Sequence, residues 1–150
     1  MARSSSTLLA ICRSFLYLSG VLCAVVPGAV TAAEIAPFTS DGCSAFPDGT
    51  IDQNQLWLNC CTEHDRTYWM GGTREDRAVA DLALKDCVAG VGHPHIAELM
   101  LAGVRVGGTP YLPTRFRWGY GWRYPRGYEP LSEELRRRLI EQSTREAGEK

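Results

Sequence analysis

The residues best suited to chemistry lie in one short segment, Cys60-Cys61-Thr62-Glu63-His64-Asp65. A neutral histidine can accept a proton near neutral pH, and a carboxylate can bind a hard cation such as calcium. Apolar and functional side chains recur here at three- and four-residue spacing, which predicts a helix over about 52–69. On that helix Tyr68 lies one turn beyond His64, and Asp65 is rotated by about 100°. One turn therefore presents a base and a carboxylate together.

The adjacent cysteines, Cys60 and Cys61, also point about 100° apart on such a helix. They cannot serve the same partner, and each is suited to fastening a different side of the helix. One cysteine, Cys43, lies in the preceding loop, and another, Cys87, lies on the following helix. We predict the disulfides Cys43–Cys61 and Cys60–Cys87.

The N-terminal segment, residues 1–33, predicts a signal peptide. Arginines precede a mostly apolar run over 15–26, and small residues follow over 28–33. The alternatives are a retained membrane anchor and a lipidated cysteine, but the run is shorter than the roughly 20 residues of a spanning helix. Cleavage removes Cys12 and Cys23 and leaves an even set of four cysteines, as expected for an exported protein. We expect a secreted or periplasmic protein.

Length and charge limit what the rest of the chain can be. The 150 residues, 45% of them apolar, are enough for one globular domain after the signal peptide. There are 16 basic residues, two of them in the signal segment, against 17 acidic ones, so the net charge does not indicate nucleic-acid binding. We divide the mature chain into a domain over 34–130, which ends in an aromatic, arginine-rich tail, and an amphipathic helix over 131–150.

The remaining periodicity predicts a mainly α fold. Gly71-Gly72 ends the first helix, and Thr73 with Asp76 predicts a capping box for the second, which stops near Gly90 or Gly92. Its expected buried stripe is Val79, Leu82, Ala83 and Val88.

Two further helices follow. A shorter apolar helix is predicted over about 95–106. Ser132 is expected to cap the last helix. The residues expected to face inward from it are Leu135, Leu139 and Ile140.

The motif Cys60-Cys61-x-x-His64-Asp65-x-x-Tyr68, with a cysteine-bearing loop before it, resembles secreted phospholipase A2 over about 38–90. The resemblance implies calcium-dependent hydrolysis of a glycerophospholipid acyl ester by a small disulfide-linked domain in which two antiparallel helices carry the site. It implies that His64 is the general base, that Asp65 binds calcium and that Tyr68 matches the catalytic-site tyrosine of the family. The phospholipid membrane surface is the expected partner, and we expect a monomer that binds no nucleic acid.

An aspartate on the second helix orients the histidine in that family, and Asp81, in the middle of this helix, is the best match. Calcium requires six to eight oxygen ligands, so the resemblance also implies backbone carbonyls from the loop around Gly42 and Ser44. This loop departs from the animal members, which are richer in glycine and tyrosine there. Thr67 stands where those members have a further cysteine.

Other interpretations of the same residues remain open. His64 could be a structural histidine in a disulfide-linked core of a cell-envelope protein, or the chain could be a catalytically silent, secreted module that binds lipid or protein. A zinc site is a weaker alternative because adjacent cysteines diverge on a helix. It would use Cys43, Cys60, Cys61 and His64.

The tail over 115–128 alternates aromatic residues with arginine. Such a segment could lie on an anionic lipid surface, where rings sit at the headgroup level and guanidinium groups meet phosphates. The alternative is a loop packed across the helices, with Trp118 and Trp122 facing inward and the arginines solvated.

Overall fold

The computed structural model describes residues 35–148, and the predicted signal peptide over 1–33 lies outside this range. The described range contains no β-strand beyond an isolated bridge between Ile35 and Trp122, so the predicted mainly α class is confirmed. Its four helices are α1 (Leu58–Met70), α2 (Arg74–Gly90), α3 (Pro94–Gly107) and α4 (Glu133–Gly148). Within 35–148 no helix has the length and apolar character needed to cross a bilayer.

The first helix starts later than predicted, at Leu58 instead of about residue 52. The preceding residues form turns that use the hydrogen-bonding groups a longer helix would need. The backbone amide of Trp57 donates to the carbonyl of Asp48, and its indole nitrogen donates to the carbonyl of Pro47. These hydrogen bonds connect the loop to the residue that precedes α1.

Helices α1 and α2 form an antiparallel pair joined by a three-residue connection. Gly71 and Gly72 both have positive φ, at 70° and 140°, which glycine adopts without steric cost. A Cβ atom on Gly71 would also lie 2.9 Å from the Cα of Gly119. The predicted capping box of Thr73 and Asp76 is confirmed and begins α2.

The prediction for the buried face of α2 was correct for Val88 and wrong for Val79, Leu82 and Ala83. Val79 is 66% exposed, and Leu82 and Ala83 also face solvent. The residues that α2 buries are Arg77, Ala80, Asp81, Leu84 and Val88. Hydrophobicity misleads here because two charged residues are buried together, and this rotates the helix relative to its most apolar face. In α4, Leu139 is buried as predicted, but Ile140 is 45% exposed.

Two apolar clusters hold the helices together. The first joins α1, α2 and α3 around both disulfides, and it consists of Trp57, Cys60, Cys61, Leu84, Val88, Ala97 and Met100. The second joins the end of α1 to α4, the N-terminal strand-like segment and the tail, and it consists of Ile35, Phe38, Trp69, Met70, Trp122, Leu131 and Leu139.

The aromatic tail caps the end of α1. The last carbonyls of a helix have no partner within it, and here the tail supplies donors to them. The backbone amide of Gly119 donates to the carbonyl of Tyr68 (2.7 Å), and the indole nitrogen of Trp122 donates to the carbonyl of Met70 (2.6 Å). The indole nitrogen of Trp118 donates to the carbonyl of Gly72 in the connection to α2 (2.9 Å). Both tryptophans are buried, as the packed-loop interpretation predicts, but Arg117 is buried as well and not solvated.

Candidate active site

Three predicted residues meet between α1 and α2. His64 Nε2 lies 3.2 Å from Asp81 Oδ1, and the hydroxyl of Tyr68 donates to the same oxygen at 2.6 Å. Asp81 is fully buried and His64 is 9% exposed. The antiparallel packing brings them together, because positions further along α1 face earlier positions on α2: Cys60 bonds to Cys87, and His64 faces Asp81.

The contact with Asp81 assigns the two nitrogens of the imidazole. A carboxylate accepts a hydrogen bond from an N–H group, so Nε2 carries the hydrogen and donates to Asp81, and Nδ1 is left as the acceptor. Nδ1 of His64 has no hydrogen-bond partner within residues 35–148. Burial raises the pKa of Tyr68, which keeps its hydroxyl protonated and able to donate to Asp81. A fixed ring with a free basic nitrogen is the arrangement that general-base catalysis requires.

Two arginines balance the buried charge of Asp81, and neither was predicted from the sequence. Arg105 Nε lies 3.0 Å from Asp81 Oδ2, and Arg77 Nε lies 3.9 Å from it. Neither N–H points at Oδ2, which accepts no directed hydrogen bond within the described part of the chain, so their attraction is mainly coulombic. Arg77 and Asp81 are four residues apart on a helix, a spacing that could have indicated the first pair.

Arg77 is also the anchor of the network. Its Nε donates to the hydroxyl of Tyr68 (3.0 Å), and its Nη1 donates to the hydroxyl of Tyr128 in the tail (2.8 Å). Its Nη2 donates to the carbonyls of Val104 and Arg105 on α3. Burial alone would lower the pKa of Arg77, but the hydroxyls of Tyr68 and Tyr128 raise it overall. One buried guanidinium thus connects α1, α2, α3 and the tail.

Asp65 lies beside His64 on α1 and faces the loop that carries Cys43. Its Oδ2 accepts a hydrogen bond from the hydroxyl of Ser40 at 2.6 Å, a partner that no spacing in the sequence indicates. Burial raises the pKa of Asp65 to about 7, the bond from Ser40 opposes this, and the charges of Asp41 and Asp48 add to the rise. An uncompensated carboxylate in this position would be stabilised by a cation.

The loop is held in an uncommon conformation. Gly42 has φ 76° and Ser44 has φ 54°, and Ser44 is the only residue other than glycine with positive φ within 35–148. For a residue with a side chain, such as Ser44, this conformation costs free energy, and it is frequent at functional sites. The predicted disulfide Cys43–Cys61 is present, as is Cys60–Cys87. The first disulfide ties the loop to α1 four residues before Asp65, and the pair of bonds is typical of an oxidising compartment.

A mostly apolar cavity of about 300 Å³ opens beside the imidazole. His64, Asp65 and Tyr68 line it together with Gly42 and Ser44, so five predicted site residues share one cavity. Asp81 does not line the cavity itself, but it contacts His64 and Tyr68, which do. The apolar part of the lining was not predicted from the sequence, and it consists of Ala45, Phe46, Leu84, Leu99, Met100, Val104 and Phe116.

Within the described residues no three histidine, cysteine, aspartate or glutamate side chains form a cluster that could hold a metal ion. The three cysteines considered as zinc ligands, Cys43, Cys60 and Cys61, are all in disulfides, so none of them is available as a thiolate. No protein-family model, curated protein or solved structure matches this chain.

Proposed function

We propose that this protein hydrolyses an acyl ester of a glycerophospholipid in a calcium-dependent reaction, as the resemblance to secreted phospholipase A2 implies. The observation that carries the proposal is the geometry of His64. Its Nε2 is held by the buried Asp81, its Nδ1 has no hydrogen-bond partner within residues 35–148, and the residue lines an apolar cavity next to the carboxylate of Asp65. A structural histidine would be expected to satisfy both nitrogens.

The chain's own residues supply the proton transfers. Nδ1 of His64 would accept a proton from a water molecule as its oxygen attacks the ester carbonyl, and Asp81 would stabilise the imidazolium that forms. When the ester C–O bond breaks, the fatty acid forms and the leaving alkoxide takes the proton from Nδ1. Tyr68 positions Asp81 and does not need to contact the reacting atoms.

The loop and Asp65 fit a calcium site. Asp65 has one oxygen, Oδ1, that accepts no hydrogen bond within residues 35–148, and nearby carboxylates already oppose its ionisation. Asp65 would bind the ion together with backbone carbonyls at Gly42 and Ser44. Bound calcium would supply positive charge that stabilises the oxyanion formed during ester hydrolysis.

A phospholipid surface is the proposed partner because apolar side chains rim the cavity. Leu99 is 61% exposed and Phe116 is 41% exposed, and both line the cavity that contains His64. Arg115 and Phe116 also line the neighbouring hollow that contains Asp65. Exposed apolar groups beside an arginine suit the headgroup region of a bilayer.

The test is fatty-acid release from mixed phospholipid vesicles by the oxidised mature protein, with calcium and with chelator. We expect calcium-dependent release that His64→Gln abolishes. The matched control is His95→Gln, which changes an exposed histidine outside the cavity and should keep full activity. If the folded protein releases no fatty acid under any condition, the hydrolase proposal is wrong and the silent binding module becomes the better interpretation.

The membrane contact is tested separately. Phe116→Asp should reduce activity on vesicles and leave activity on monomeric, short-chain substrates nearly unchanged. Ile51→Asp is the control, because Ile51 is fully exposed and lines neither the cavity nor the hollow. Equal effects of the two substitutions on vesicle activity would contradict this surface assignment.

A further inference from the structure

One wall of the cavity consists of helix α3, and two glycines open it. Leu99, Gly103 and Gly107 follow one another at four-residue spacing along α3, and all three line the cavity. Such residues lie above one another on the same face of a helix. Leu99 has a side chain on this line, whereas the next two residues at this spacing are glycines and have none.

Packing does not require glycine at these two positions. A Cβ atom at Gly103 or at Gly107 would meet no atom within 4 Å, and neither residue has a positive φ. Gly71 differs, because its φ is 70° and a Cβ atom there would meet Gly119. Glycine destabilises a helix relative to alanine. A local preference that is violated without a steric reason indicates a functional demand.

The space left by the glycines has the properties of a site for an alkyl chain. Its walls are mostly apolar, and the nine-tenths buried His64, whose Nδ1 has no hydrogen-bond partner within the described chain, is one of the residues that line it. The free volume is about 300 Å³, and a methylene group is similar in size to a water molecule, which occupies about 30 Å³. The cavity can therefore hold one chain of about ten carbons.

We propose that Gly103 and Gly107 form a slot for a single unbranched acyl chain and that their missing side chains set the longest chain the site accommodates fully. This inference rests on the proposed function for the identity of the ligand. Residues that limit chain length in this way determine specificity and need not take part in the chemistry.

The test uses binding, because binding requires neither calcium nor turnover. The probes are n-alkylphosphocholines from hexyl to tetradecyl, each kept below the concentration at which it aggregates. For the wild-type protein we expect the affinity to rise about fourfold for each added methylene and to stop rising at about ten carbons. Isothermal titration calorimetry measures the affinities, and the chemical shifts of the His64 ring locate the ligand.

The decisive variant is Gly103→Leu, with Ala102→Leu as the matched control. Ala102 is exposed on the same helix and does not line the cavity, so the control adds a larger side chain without entering the slot. In Gly103→Leu the affinity should stop rising about four carbons earlier, because leucine adds four carbon atoms to the wall. Gly103→Ala, which should raise helix stability, is expected to shorten the limit by about one carbon.

Identical chain-length profiles for Gly103→Leu and Ala102→Leu would overturn the inference, as would a wild-type protein that binds none of the probes. The outcomes also separate this inference from the proposed function. If the protein binds the series with the expected limit but hydrolyses nothing, the slot is supported and the proposed hydrolase function is wrong. If the wild-type protein and Gly103→Leu both hydrolyse phospholipid with the same chain-length preference, the proposed hydrolase function is supported and the slot is wrong.

Discussion

Replacing Tyr68 by phenylalanine removes a single oxygen atom from the buried network beside His64. That hydroxyl donates to Asp81 Oδ1 at 2.6 Å and accepts a hydrogen bond from Arg77 Nε at 3.0 Å. Both partners are charged, and both are buried. The substitution therefore tests whether the network supports the fold, the chemistry or both.

The magnitude follows from the two lost hydrogen bonds. A hydrogen bond to a charged group contributes about 1.5–3 kcal/mol to stability. Arg77 keeps its bonds to Tyr128 and to α3, and Asp81 keeps His64 and Arg105, so values near the lower limit are expected. We therefore expect Tyr68→Phe to lower the free energy of unfolding by about 3 kcal/mol.

Urea denaturation of the oxidised protein measures this change, and Tyr128→Phe is the matched control. Tyr128 is half-buried, and within residues 35–148 its hydroxyl accepts one hydrogen bond, from Arg77, so the loss of the hydroxyl should cost about 1 kcal/mol. Hydrolysis by Tyr68→Phe should fall less than tenfold, because His64 keeps its contact with Asp81. Equal destabilisation by the two substitutions, or a cost for Tyr68→Phe below about 1 kcal/mol, would refute this account of the network.

Three further predictions concern the elements around the site. Asp76→Asn should lower the free energy of unfolding by about 1 kcal/mol at pH 7. Burial raises the pKa of Asp76, but the hydrogen bonds from Thr73 and the charge of Arg136 outweigh burial and lower this pKa overall. The difference in stability between the two proteins, measured by urea titration, should therefore vanish as the pH falls from about 4 through the pKa of Asp76. A difference in unfolding free energy that persists at low pH would contradict this explanation of the effect of Asp76. Replacing Cys43 and Cys61 together by serine should lower the free energy of unfolding in urea by about 3 kcal/mol and abolish calcium-dependent hydrolysis, while unchanged hydrolysis would show that the loop needs no tether. Because burial raises the pKa of Asp65 to about 7, the apparent calcium affinity should fall by up to about tenfold per pH unit below that value, and calcium titrations that do not depend on pH would exclude Asp65 as a ligand.

The features that could be predicted depend on short-range periodicity. The spacing of His64 and Tyr68 placed both on one face of α1, and the divergence of Cys60 and Cys61 predicted two disulfides on different sides. Thr73 with Asp76 predicted the start of α2 correctly. In each case the geometry of one helix turn, or the chemistry of one cap, is sufficient for the inference.

The features that were missed depend on partners distant in the sequence. The buried face of α2 was assigned from hydrophobicity, but Arg77 and Asp81 can be buried only because Tyr68, Tyr128 and α3 supply their partners. Local patterns do not report whether a buried charge will be satisfied.

By itself, then, the sequence determined the mainly α class, both disulfides and the neighbouring positions of a base and a carboxylate on α1, because helix geometry acts within a few residues. Tertiary structure decided the rest. It brought Asp81 to His64, turned the aromatic tail onto the end of α1, and left a cavity beside the glycines of α3. A cavity is the space that several packed elements leave unfilled, so no single segment of sequence can encode its shape.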